Sequence, residues 1–260
     1  MVRKRRPTAI PYAKAEQLWR TFRWTDPKDL NLEDLAMALG ALVVDGALQS
    51  AEARLTRKGD RGIIRIRKDL DPPGRRRFAI GHELGHWQLH RNISQIFVCT
   101  EADMIANYRR SRIEAEANSF ASALLMPERM FVSTMHDSRP TFAGLYSLED
   151  HFDTSLTATA IRWVDLARDY CAVVVSIAGK IKWWRGSEDF EDAFWISAGD
   201  AVSRYAGAYE VGALNREAGP KRVTVDTWAE KQHPLYIDEF IEASTYFPRY
   251  KFVMSLLSLP

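Results

Sequence analysis

The sequence is poor in cysteine and carries almost no excess of either charge. Only Cys99 and Cys171 occur, far apart and in no C-x-x-C spacing, which argues against a disulfide-stapled protein and for reduced thiols in the cytoplasm. No segment approaches the ~20 consecutive apolar residues of a membrane helix, so no membrane association is expected. The basic start Arg3-Lys4-Arg5-Arg6 reads as a solvated terminus. Ala13-Lys14-Ala15-Glu16-Gln17 follows where a secretory leader would need its apolar stretch. With 36 Lys+Arg against 34 Asp+Glu, the net charge of +2 calls for no strongly polyanionic partner. Histidine is scarce as well, six in 260 residues, so a patterned pair of them is informative.

The length leaves room for one large domain or a few small ones. Residues 13–24, with Leu18 and Phe22 at helical spacing, and residues 32–39, after Asn31, predict two helices. Residues 53–57 and 63–67 flank Lys58-Gly59-Asp60 and predict a hairpin with one wet face. Pro72-Pro73-Gly74 breaks the chain before a long helix over 75–90. A polar, irregular stretch to Ser111 is expected next, then a helix ending at Leu125-Met126-Pro127 and a short one over 127–135. Pro140 marks a boundary, and 145–152 with 156–166 predict a helix, turn and helix. The remainder changes character: 171–177 is a β-rich apolar run, Gly179 marks a turn before Ile181-Lys182-Trp183-Trp184, and 222–225 and 251–257 are further strand candidates. The whole predicts an α+β protein.

The long helix carries His82-Glu83-Leu84-Gly85-His86. Residues four apart share a helix face, so both imidazoles can reach one cation while Glu83 approaches the water bound to it. Zinc lowers the pKa of such a water from ~15.7 towards ~7, a carboxylate takes the proton, and the hydroxide attacks a carbonyl polarised by the metal. Ala79, Ile80, Leu84 and Trp87 supply an apolar face, and the small Gly85 leaves room near the metal. The chemistry expected is that of a zinc peptidase, with His82 and His86 as ligands and Glu83 as general base.

A catalytic zinc needs a third protein ligand. His90 lies ~12 Å along the helix axis from His82, too far to share one ion. A metzincin would require Gly at position 89 and His at position 92, where the chain has Leu89 and Asn92. The following helix offers Glu114 and Glu116, about 200° apart around its axis. Glu114 is the preferred ligand because Asn118 shares its face and can hold a histidine ring; Glu116 is the alternative.

Arg77-Phe78-Ala79-Ile80-Gly81-His82-Glu83-Leu84-Gly85-His86, then Glu114-x-x-Ala117-Asn118-x-Phe120-Ala121 and Leu124-Leu125-Met126-Pro127, resemble the signature of the ImmA/IrrE peptidase family. The match covers residues 60–130, and the order peptidase, helix-turn-helix, mixed α+β tail is similar to the IrrE members over nearly the whole chain. Gly81 stands where many relatives have Ala. The resemblance implies a minimal gluzincin-like zinc peptidase domain over 1–139, a helix-turn-helix-like segment over 140–170 and a GAF-like α+β sensor domain over 171–260. It implies a site of His82, His86 and Glu114 on the metal with Glu83 as base. It also implies a site-specific endopeptidase that cleaves a partner helix-turn-helix repressor after radiation or desiccation stress. Tyr108, His136 and His151 are candidates for stabilising the transition state.

Two rival uses of the chain can be read. Ser155 can cap a recognition helix carrying Thr157, Thr159 and Arg162, making the protein a DNA-binding regulator that acts without proteolysis. Residues 141–170, however, hold Arg162 and Arg168 against Glu149, Asp150, Asp153, Asp165 and Asp169, a poor surface for phosphates, so DNA binding is not expected. Trp183, Trp184, Phe194 and Trp195 can line a pocket for a small-molecule signal or simply form an aromatic core. The metal expected is zinc, with manganese or iron able to occupy the same ligands. An exposed hairpin edge near the metal offers a place for substrate backbone.

Overall fold

The computed structural model describes residues 9–104, 111–135, 139–214 and 217–260, and it is an α+β structure. The chain divides into two units, residues 1–131 with 149–158, and residues 132–148 with 159–260. No described helix is long and apolar enough to cross a membrane.

The first unit opens with α1 (Ala9–Phe22) and α2 (Leu32–Ala38), the latter capped by Asn31 Oδ1, which accepts from the Asp34 amide. A four-stranded sheet follows, β1 (Ala41–Gly46), β2 (Ala53–Lys58), β3 (Arg61–Arg67) and β4 (Ile96–Cys99), in the order β1-β3-β2-β4. The hairpin expected from the sequence is β2–β3, turning at Gly59 with φ +59°. Its alternation holds: Leu55, Ile64 and Ile66 are fully buried, while Arg54 and Arg65 face outward. Neither hairpin strand is an edge, because β1 pairs with β3 in parallel and β4 pairs with β2 antiparallel. The edge nearest the metal motif is therefore β4. That strand and α4 (Glu101–Met104) lie within the stretch expected to be irregular.

Helix α3 (Pro73–Leu89) carries the metal motif, and Ala79 through Trp87 are buried on every side. Such a helix is the centre of its domain and gains little from an amphipathic pattern. It lies against α5 (Arg112–Leu125) at close range: a Cβ on Gly85 would meet the Ala117 Cα at 2.9 Å and its carbonyl oxygen at 3.0 Å. The absent side chain at position 85 thus serves the helix–helix contact, where the sequence suggested room for the metal. On the far side of α5, Trp19 Nε1 of α1 donates to the Leu124 carbonyl at 2.8 Å.

Three further helices, α6 (Glu128–Thr134), α7 (Phe142–Phe152) and α8 (Leu156–Leu166), contribute residues to both units. The second unit continues with β5 (Cys171–Ile177), β6 (Lys180–Gly186), α9 (Glu188–Ala193), β7 (Phe194–Trp195), α10 (Gly207–Leu214), β8 (Glu217–Thr224), β9 (Glu230–Lys231), β10 (Glu239–Phe247) and β11 (Phe252–Ser258). Five of these strands form one antiparallel sheet, β6-β5-β11-β10-β8, and β7 pairs with β9. Phe190, Phe194 and Phe240 pack on one another with centroids 5.0–5.5 Å apart in the core above the sheet.

A buried carboxyl ties this unit together. Glu242 accepts hydrogen bonds from the Gly207 and Ala208 amides at the start of α10, from Trp228 Nε1 at 3.0 Å and from Ser244 Oγ. Trp228→Phe keeps an aromatic ring in the core, though a smaller one, and deletes one donor to a group only 1% exposed. The expected cost is ~1–3 kcal/mol, read as a lower urea midpoint; an unchanged midpoint would show that Glu242 is held by the remaining donors alone.

Candidate metal centre

The site lies in the first unit, where α3, α5 and β4 meet. His82 and His86 project from one face of α3 with their Nε2 atoms 3.0 Å apart. Glu114 enters from the first turn of α5, and its Oε2 lies 3.1 Å from His82 Nε2 and 3.2 Å from His86 Nε2. Ser111 caps this helix, with its Oγ accepting from the Glu114 amide. A Glu three residues after a capping Ser usually folds back onto the cap; here the carboxylate turns to the two histidines.

Outer partners set the tautomers. Asn118 Nδ2 donates to the Asp103 carbonyl at 2.8 Å, so its Oδ1 accepts from His82 Nδ1, also at 2.8 Å. On the other ligand, His86 Nδ1 meets His90 Nδ1 at 2.9 Å, and His90 Nε2 meets Glu116 Oε2 at 3.2 Å. With His90 Nε2 donating to Glu116, His90 Nδ1 accepts the His86 proton. Both arrangements leave the inward Nε2 atoms as lone pairs when the rings are neutral. Three acceptors then face one another at 3.0–3.2 Å with no proton between them. A tetrahedral ion with ~2.0–2.1 Å bonds needs ligand atoms ~3.3 Å apart, so this donor set fits a divalent cation.

The charges respond to that convergence. Burial pushes His86 down to about 4, only partly offset by Glu114. His82 is raised despite its burial, because its protonated ring can donate to Glu114 and Glu83 lies nearby. Glu114 is held well below the usual carboxylate range, since its interactions with the protonated forms of His82 and His86 outweigh its own burial. Glu83 is fully buried, neither carboxylate oxygen has a nitrogen or oxygen donor, and burial raises it to about 7 against the lowering effects of His82 and the Cys99 thiol.

Residues 36–164 match the family model of the IrrE N-terminal-like domain, a peptidase family. That stretch is similar to an IrrE N-terminal-like domain. No curated protein matches significantly. Among solved structures, a Mycobacterium tuberculosis transcriptional regulator is similar over 96% of this chain and 76% of its own, with a TM-score of 0.65 and 14% identity, a likeness of fold.

Within the matched stretch, the structure brings together His82, Glu83, His86 and Glu114, the four residues singled out in the sequence. Asn118 takes the place expected for it on a histidine ring. His90, set aside as a ligand in the sequence, and Glu116, the alternative ligand there, stand behind His86. Cys99 is the residue that sequence reading missed: its Sγ belongs with His82, His86 and Glu114 to one group whose ligand atoms lie within 4.8 Å of one another. No local motif could have signalled it, since it arrives through strand pairing. Phe97, also on β4, stacks on the His86 ring at 4.1 Å. Of the candidate transition-state residues, Tyr108 and His136 lie outside the described residues, and His151 on α7 packs edge-on against Phe152.

The Asn118 contact can be tested directly. Asn118→Ala frees the His82 ring and is expected to weaken metal affinity ~10–100-fold, measured by competition with a chromophoric chelator. An affinity equal to the parent protein would make Asn118 a packing residue only.

Proposed function

We propose that this protein is a zinc-dependent, site-specific endopeptidase that cleaves a helix-turn-helix transcriptional repressor and so induces a response to radiation or desiccation stress. The observation that carries the peptidase reading is Glu83, a fully buried carboxyl that no nitrogen or oxygen donor satisfies, beside three convergent ligand atoms. A structural metal site has no use for such a group, whereas peptide hydrolysis needs a proton acceptor matched to neutral pH.

A zinc ion held by His82, His86 and Glu114 would act as a Lewis acid, polarising a carbonyl and lowering the pKa of water towards ~7. Glu83, raised to about 7 by burial, takes the proton from the attacking water and passes it to the leaving amine. His90 and Asn118 keep the ligand rings turned inward. The outer edge of β4 offers the substrate backbone a strand to pair with, next to Phe97 and Cys99.

The regulatory part of the reading is supported by the similarity to the IrrE N-terminal-like domain and by the regulator-like fold. DNA binding through α7 and α8 is disfavoured, because Thr159 and Arg162 of the would-be recognition helix are 0% and 1% exposed. The aromatic residues of the tail favour a core over a ligand pocket, with Phe194 fully buried and Trp184 packed edge-on against Phe190. Two buried free thiols suit the cytoplasm. The test is co-incubation of the zinc-loaded protein with helix-turn-helix repressors from its own organism, with mass spectrometry of the products. A single cut that needs zinc in one of them supports the reading, and all of them left intact with stoichiometric zinc bound overturns it.

A further inference from the structure

The three-ligand reading leaves Cys99 without a role. Its side chain is 1% exposed, and it stands at the inward end of β4, where strand pairing with Ala53 fixes its position. Its sulfur shares one ligand group with His82, His86 and Glu114, all four ligand atoms lying within 4.8 Å of one another. Beside it stands the wholly buried Glu83 carboxyl, with the Cys99 thiol as its one hydrogen-bonding neighbour among the described residues. An ordinary buried cysteine behaves as a small hydrophobe among apolar neighbours; this one faces two imidazoles and two carboxyls.

We propose that Cys99 is a fourth protein ligand, so that the resting centre is a closed His82–His86–Glu114–Cys99 site. The inference rests on the metallopeptidase reading and deepens it in two ways. First, a thiolate is a soft donor, so the site selects zinc over manganese, whose ligands of choice are oxygens. Second, closed four-coordinate sites are those of structural zinc, while catalytic zinc keeps one position for water or substrate. The resting enzyme is therefore held back until a bound substrate displaces the sulfur or the ion expands its coordination. Binding is balanced as one thiol proton released to solvent for each cation taken up, with the metal–sulfur bond formed and no change of oxidation state.

The test is X-ray absorption at the zinc edge on the full chain, with Cys99→Ser as the control. A closed site predicts one sulfur scatterer at ~2.3 Å beside nitrogen and oxygen at ~2.0–2.2 Å, with the sulfur lost in Cys99→Ser. The cobalt-substituted protein should likewise show a thiolate charge-transfer band in the near ultraviolet, absent in the variant. Because the parent protein alone gives the sulfur signal, the proposal stays testable if Cys99→Ser fails to fold. Zinc bound by nitrogen and oxygen only overturns the fourth ligand and leaves the peptidase reading standing. A sulfur signal that persists in Cys99→Ser also overturns it. Failure to bind zinc at all overturns both readings together.

Discussion

Glu83→Gln is expected to abolish cleavage and, at the same time, to make the metal-free protein more stable. Loss of a positioned general base lowers turnover by ~10²–10⁴-fold. The stability gain follows from burial, which raises the Glu83 carboxyl from 4.5 to about 7. Between those values the folded chain keeps a proton that the unfolded chain has released. Wild-type stability therefore falls as pH climbs through that window and stays reduced above it, by ~3 kcal/mol. The amide carries no charge to bury, so the variant escapes this loss. Thermal melts in the presence of a chelator should coincide near pH 4.5 and separate in favour of Glu83→Gln at pH 8. Equal melting at pH 8, or cleavage at the parent rate, would remove Glu83 from the role assigned to it. Zinc content should be unchanged, because Glu83 is not among the convergent ligand atoms.

Glu114→Ala is the second large effect. The side chain is the only ligand from α5 and the only carboxylate facing both Nε2 atoms, among the described residues. Removing an outer partner of a ligand costs ~10–100-fold in affinity, so removing the ligand itself should exceed ~100-fold and leave the protein zinc-free after dialysis. Glu116→Ala, two residues away, loses the contacts to His90 and to Arg112 and should retain metal within the outer-partner range. Metal analysis after dialysis against a weak chelator compares the two. Comparable zinc loss in both variants would reject the division between ligand and supporting residue.

Much of this centre is legible in sequence because a helix is a local ruler. The four-residue spacing of His82 and His86 places both rings on one face whatever surrounds them. The same ruler puts Asn118 on the face of Glu114, and the structure finds Asn118 on the His82 ring. Burial of Ala79, Ile80, Leu84 and Trp87 was readable from their apolar character. The hairpin was readable too, since alternation across Gly59 needs no knowledge of the partner strands.

Long-range pairing was not readable. β4 is four residues in a polar stretch, and only its ladder to β2 makes it a strand. Its arrival explains why the hairpin does not supply the open edge and how Cys99 comes to stand by the histidines. Gly85 was misread for a related reason: its lack of a side chain answers to Ala117 on another helix. Arg162 stood on a would-be recognition helix in sequence and is buried in the fold.

The sequence by itself determined which candidate residues share a helix face, because helical periodicity within α3 and α5 sets those faces through hydrogen bonds four residues apart. Only the tertiary structure decided what stands around them. The sulfur of Cys99, the support of His86 by Glu116, and the burial of Glu83 beside that sulfur all depend on contacts between chain segments far apart in sequence.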